Sequence, residues 1–465
     1  MELFTQFLGE ANTFLYSKFL IIALIITGLY FTVRTGFIQI RMLPEAVRVI
    51  REKGNEGSLS SFQALMIATA SRVGTGNIAG VSTAIVLGGP GAVVWMWIMC
   101  LIGGASAFIE STLAQIYKKK DGNYFKGGPA YYIETALHAR WLGIVFAILL
   151  ILCFAFGFNG LQAYNIASSF EYYIPDFANT HVPMLIGIIL AVISGVLFFG
   201  GAHKIGMVSS ILVPIMAVIY IFIGLVIFVA NFDKVPTILS LCFSEAFNFE
   251  SIFGGFAGSC VVIGIKRGLF SNEAGMGSAP NAAAAADVSH PVKQGLVQVL
   301  SVFIDTLILC STTAFIVLLG GKLMPGGELN GIPLVQQSIA SQFGELGIHV
   351  VTIAICLFAF TSVIGNYFYA EANIKFISSN PIVMLIFRLF AIVMVFVGAQ
   401  VSMSTAWDLA DVLMGLMATV NIIAILLLGG IAIRALKDYS AQKAQGKDPV
   451  FKAANIGLHD TECWK

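Results

Sequence analysis

Charge is scarce in this chain. Only 11% of its 465 residues are Asp, Glu, Lys or Arg, against about 25% in ordinary soluble domains. That thin supply excludes a solvated globular surface. A formal net charge of +1 leaves no basic footprint for a nucleic-acid partner, whose phosphates demand clustered Lys and Arg. Cysteines are few and unpatterned: there are seven, none in CxxC spacing and most inside apolar blocks. They read as buried thiols, not as a disulfide framework or a metal site. The six histidines lie in or beside loops and lack metal-ligand spacing. A basic n-region is missing too, since Glu2 and Glu10 are acidic, and the first apolar run is longer than an h-region. The N-terminal segment is therefore expected to be a retained span, not a cleaved signal.

What the chain has in abundance is long apolar runs. Hydrophobic residues make up 58% of it, and mean hydropathy is +0.88. Phe14–Val33 and Met207–Ala230 each reach the ~20 residues that cross ~30 Å of hydrocarbon. The reading is an all-α polytopic membrane protein. Its apolar blocks predict eleven transmembrane helices, near 14–34, 60–87, 91–117, 142–170, 183–200, 207–231, 252–279, 294–320, 349–376, 382–400 and 408–433.

An odd number of spans puts the termini on opposite sides, and Lys and Arg fix which is which. With the C-terminus inside, only Lys18, Lys234 and Lys322 fall outside, and Arg72, Lys266 and Arg267 lie at or near membrane depth. Every other Lys and Arg is then cytoplasmic, so the expected topology is N-terminus out and C-terminus in, in the cell's inner membrane. Phe37–Gly54 alternates apolar and basic residues, as an amphipathic helix on the inner leaflet would or a linker helix.

Two spans are interrupted. "SRVGTGNIAG" (Ser71–Gly80) places an Arg and three glycines inside the second, and Ser251–Pro280 carries seven glycines with Lys266, Arg267 and Glu273 through the seventh. Setting the first span aside, the interruptions open each half of a five-plus-five arrangement. Gly-broken helices at matching positions of two halves point to an inverted-repeat transporter, in which unwound backbone is tolerable only where it lines a cavity. Half-helix N-termini there suit a carboxylate, and free carbonyls suit Na⁺ or an ammonium. Gly80, Gly103 and Gly104 fit close helix packing as well. The string is not a dinucleotide fingerprint, because its glycines are spaced GxGxxxG with no strand before them. The expected segments are 1–57 (extra helix and interfacial stretch), 58–231 and 232–435 (two five-helix repeats), and a cytoplasmic tail, 436–465.

Three stretches, "VGTGNIAGV" (Val73–Val81), "GGPGAVVWMWIMCLIGG" (Gly88–Gly104) and "KRGLFSNEAGMGSAP" (Lys266–Pro280), resemble the alanine/glycine:cation symporter family. Val94 stands where that family usually has Phe, and Cys100 where it has a small residue. The resemblance implies a leucine-transporter-type core with an added N-terminal helix. It implies import of small neutral amino acids such as alanine or glycine, coupled to Na⁺ or in some members H⁺, with no cofactor and no enzymatic activity.

Carried onto this sequence, the resemblance implies that Thr75, Gly76 and Asn77 receive the substrate carboxylate, with Gln162 beside them. Carbonyls around Val262, Ile263 and Gly264 would take the amine, and Phe256 and Ile263 would limit side-chain size. The hydroxyls of Thr361 and Ser362 would bind Na⁺ with the carbonyls of Ala70, Val73 and Phe358, although Ser and Thr also back-bond within membrane helices. Gln162 could equally serve an interhelical hydrogen bond.

Asp305 lies ~11 residues into its span, ~16 Å deep near the midplane. The resemblance implies that it stands beside Asn77 as a second cation or proton site; the residue alone could equally be a protonated structural carboxyl. Arg72 is expected to pair with Glu110 or Glu273, because an unpaired guanidinium at that depth costs several kcal/mol. A channel or an intramembrane enzyme fits less well: the chain shows pseudo-repetition, not a multi-subunit filter, and no nucleophile–base pair stands at helical spacing.

Overall fold

The computed structural model describes residues 2–52, 58–122, 124–248, 252, 255, 259–321 and 329–464. Among these, seven helices are long and apolar enough to cross a membrane, and four shorter apolar helices add to them. The expected runs reappear with shifted ends. The first helix begins at α1 (Glu2–Leu15) and continues through a π-helical turn into Ile21–Arg34. The last, α10 (Met403–Ala444), runs well past residue 433. The segment after Phe37 forms two short helices, Ile38–Arg41 and Leu43–Val49. Ile38, Ala46 and Val49 are buried against protein, while Phe37, Ile40 and Val47 stay exposed.

Helices that the hydropathy reading missed are Pro129–Leu137, Val235–Ala246 and Gly331–Phe343, and a small antiparallel hairpin pairs Lys119–Asp121 with Tyr124–Lys126. They are short or amphipathic, so no long apolar run announces them. Beyond α10 the chain folds back: Phe451 N–H donates to Ser289 C=O (2.9 Å) and Trp464 Nε1 to Gln115 C=O (2.7 Å).

Both broken spans are broken in fact. The first is α2 (Ser61–Arg72), a bend at Val73–Gly74, a π turn at Gly76–Gly80 and α3 (Val81–Gly88). Its start is fixed by a capping box: Ser60 Oγ accepts Gln63 N–H (3.2 Å) and Gln63 Oε1 accepts Ser60 N–H (3.0 Å). Gly91–Ile116, labelled α4, packs along this span.

The second is α6 (Cys260–Asn272) followed by α7 (Pro280–Ala285). Its break is Glu273–Ala279, where Glu273, Gly275 and Gly277 take positive φ of 55°, 82° and 89°; glycine enters that region without the Cβ penalty. Val262, Ile263 and Gly264 instead lie inside the unbroken turns of α6. Their carbonyls are taken up by helical hydrogen bonds, which corrects the expectation that they stand free for an amine. The residues of this span that take a left-handed backbone lie about ten positions further on. Phe256 lies outside the described residues.

Candidate functional site

The two breaks face each other at the centre of the bundle, framed by α4, α5 (Asn159–Ser168), α8 (Pro291–Phe303) and α9 (Glu345–Ile377). Unwound backbone at this depth must find partners within the protein, and side chains of neighbouring helices supply them. Gly74 N–H donates to Asn77 Oδ1 (3.2 Å) and Thr75 N–H to Gln162 Oε1 of α5 (3.1 Å). Gln162 is thus engaged in an interhelical hydrogen bond. Thr313 Oγ1 donates to the Asn77 carbonyl (2.6 Å).

At the second break Glu110 of α4 accepts Gly275 N–H (3.2 Å) and Gly277 N–H (3.1 Å). Asn421 of α10 donates to Glu110 Oε2 (2.7 Å) and to the Gly275 carbonyl (2.9 Å). Glu273 accepts from Ser278 Oγ (2.6 Å) and faces Ser71 Oγ at 3.0 Å. The Arg72 guanidinium donates from Nη1 to Gln298 Oε1 of α8 (3.1 Å), while its Nε and Nη2 are buried without a hydrogen-bond partner, and among the described residues no carboxylate oxygen reaches it as an ion pair.

Ala70, Val73, Phe358, Thr361 and Ser362 are all buried. Ser362 Oγ lies 2.9 Å from the Ala70 carbonyl, across the helix interface, and 3.1 Å from Phe358 C=O; Thr361 Oγ1 lies 2.9 Å from that same Phe358 carbonyl. The two hydroxyls back-bond within α9, and Ser362 also reaches the end of α2. Two hydroxyls and two carbonyls thereby converge, neutral oxygens of the kind a hard monovalent cation takes.

Asp305 sits in the π-helical stretch Ile304–Cys310 that continues α8; such π segments inside helices recur at functional sites. It is fully buried. Oδ1 accepts from Asn77 Nδ2 (2.7 Å); Oδ2 accepts from Ser271 Oγ (2.6 Å) and Thr306 Oγ1 (3.1 Å). The carboxylate therefore ties the first break to the end of α6. Sequence reasoning did not single out Ser271 or Asn421, since an isolated Ser or Asn in an apolar run carries no periodic signal.

Over Gly76 lies an aromatic cover. A Cβ on Gly76 would sit 2.7 Å from two ring carbons of Phe270. The Phe270 ring packs on Phe158 (centroids 4.6 Å) and on Trp407 (5.1 Å). Beneath it Thr75 Oγ1 is buried without a hydrogen-bond partner, an orphan hydroxyl facing the break.

Residues 1–453 match the sodium:alanine symporter family. The amino-acid carrier protein AlsT of Bacillus subtilis is 47% identical, covering 99% of this chain and 98% of that protein. The probable sodium/glutamine symporter GlnT of the same organism is 45% identical over 100% and 96%. The sodium/alanine symporter AgcS of Methanococcus maripaludis is 37% identical over 94% and 97%. The solved structure of MhsT in complex with L-phenylalanine superposes with a TM-score of 0.58 at 16% identity, covering 88% of this chain and 95% of that one. That is a likeness of fold, the leucine-transporter type. With two broken helices apposed at its centre and a family match along nearly its whole length, this multi-pass membrane chain belongs to the sodium:alanine symporter family, a family of transporters and not of enzymes.

Proposed function

We propose that the protein is a secondary active symporter that imports small neutral amino acids, alanine or glycine, together with Na⁺. The observation that carries this reading is the meeting of Ser362 Oγ with the Ala70 carbonyl beside the bend at Val73–Gly74. A cation held there and a carboxylate that takes over the Gly74 and Thr75 N–H groups from Asn77 and Gln162 would share one stretch of backbone, so filling either would order the site for the other. The N-terminus is assigned outside and the C-terminus to the cytoplasm, from the Lys and Arg distribution. A second reading, H⁺ in place of Na⁺, draws on the buried Asp305 carboxylate and on a Bacillus relative named as a sodium/proton-dependent alanine carrier.

The size limit on this reading falls to Phe270 with Phe158 and Trp407, which pack over Gly76. Each methylene beyond the fit costs about 1–3 kcal/mol in an apolar pocket. Labelled alanine should enter proteoliposomes when an inward Na⁺ gradient is imposed, and excess unlabelled glycine should suppress that uptake far more than excess leucine. Uptake indifferent to Na⁺ would remove the coupling; leucine competing as well as alanine would remove the size limit.

In the same assay Ser362→Ala and Thr361→Ala should each raise the Na⁺ half-saturation roughly tenfold, with alanine binding regained at high Na⁺. Unchanged Na⁺ dependence in both variants would refute the site.

A further inference from the structure

The first helix stands outside the five-plus-five core, yet it is wired to the cover over the break. Asn12 of α1, nearly fully buried, donates from Nδ2 to Asp408 Oδ1 of α10 (2.9 Å) and accepts from Lys266 Nζ of α6 (2.9 Å). One side chain of the first helix thus bridges the two helices that hold the cover. One turn on, Tyr16 OH donates to the Asp411 carbonyl (3.0 Å), and Lys266 Nζ lies 5.1 Å over the Tyr16 ring.

Lys266 (2.7 Å) and Arg267 both grip Asp411 Oδ2. Two cations on one carboxylate oxygen repel each other, and Asp408, held in place by Asn12, restores the charge balance. From Arg267 the link runs inward. Its guanidinium stacks 4.3 Å over Trp407, Trp407 packs on Phe270, and Phe270 lies over Gly76.

We propose that Asn12 is a positioning residue for transport: by joining Lys266 to Asp408 it holds α6 against α10 on the N-terminal side, so that Trp407 and Phe270 stay closed over the first break. The proposal rests on the reading that substrate sits at Gly76. A buried hydrogen bond to a charged group is worth enough to shift a closed–open equilibrium roughly tenfold. Losing Asn12 opens the cover, and the effect is the same one that loss of Lys266 produces.

Two readouts on the full chain in proteoliposomes test this. In Asn12→Ala the alanine half-saturation should rise roughly tenfold with the maximal exchange rate kept, and Asn12→Ala combined with Lys266→Met should do no more than either alone. Tyr16→Phe, which keeps the packing, should move in the same direction by less.

Independently of any substrate, Cys310 reports opening, because it borders the break at 3.3 Å from Asn77 Nδ2 and 3.0 Å from Ser271 Oγ. Its reaction with a small water-soluble thiol reagent, followed by peptide mass spectrometry, should accelerate in Asn12→Ala and in Lys266→Met alike. A helix that merely braces the fold would lower yield, leave the half-saturation of the surviving protein and the labelling rate unchanged, and give additive effects; any of these last three results overturns the proposal. Wild-type protein that transports no alanine would defeat the substrate reading, while the Cys310 labelling would still decide the role of Asn12.

Discussion

Gly74→Ala is expected to abolish Na⁺-driven alanine uptake in a protein that still folds and enters the membrane. A Cβ at this position would land on Ser362 Oγ and within 3.0 Å of both the nitrogen and the oxygen of the Gln162 amide. Those are the hydroxyl assigned to Na⁺ and the amide that holds Thr75 N–H. The added methyl must push one or both away. Overpacking of this kind costs about 1–3 kcal/mol, little beside the stability of a bundle this size but enough to lower occupancy of each site by about tenfold or more. Because cation and substrate are read as sharing this backbone, the two losses compound. Uptake together with the elution profile of the purified variant checks this. A monodisperse variant with wild-type uptake would show that the Gly74 backbone does not border the site.

Asp305→Asn carries the second large effect. The replacement keeps shape: its oxygen can still accept from Asn77 Nδ2, now 2.7 Å from Oδ1, while its new NH₂ turns to Ser271 Oγ, which can rotate its proton away. The architecture survives and only the charge is lost. Net uptake against a gradient should fall at least about tenfold, whereas exchange of alanine at equal concentrations on both sides should persist in part, since exchange needs binding and alternation but no net cation movement. The size is set by the loss of a charge from a buried site, where electrostatics are strong. Wild-type uptake with wild-type cation dependence would make Asp305 a structural residue that merely joins α6 to the first break.

Much of this site is legible in the chain itself, and the reason is local. Gly74-Thr-Gly-Asn interrupts an apolar run, and a membrane helix tolerates such a string only where its backbone is used; the structure unwinds there. Asp305 is visible by its depth in an uncharged segment, and its place beside Asn77 is implied by the family resemblance.

Within the seventh span the free carbonyls are expected around Val262–Gly264, about ten positions before the residues that unwind. The seventh span is glycine-rich along its whole length, and glycine count alone does not say where the helix ends. The deciding residues are Glu273, Gly275 and Gly277, which take positive φ; Glu110 accepts the Gly275 and Gly277 N–H groups and Asn421 donates to the Gly275 carbonyl, both from other helices. That partnership is tertiary and leaves no mark in spacing. Arg72 teaches the same lesson from the other side. Burial demanded a partner, and the structure supplies Gln298 instead of a carboxylate, a choice set by tertiary packing. Phe270 over Gly76 likewise joins residues about 190 positions apart, packing that no periodicity encodes.

The central claim is that cation and amino acid cross together because they share the unwound first helix. Its most direct test is to follow labelled Na⁺ and labelled alanine in the same proteoliposomes, with wild type and Ser362→Ala side by side. The account predicts that alanine accelerates Na⁺ entry and Na⁺ accelerates alanine entry by the same protein, and that Ser362→Ala weakens both accelerations while high Na⁺ restores them. Na⁺ entry that ignores alanine, or alanine entry that proceeds equally well without Na⁺, would contradict it.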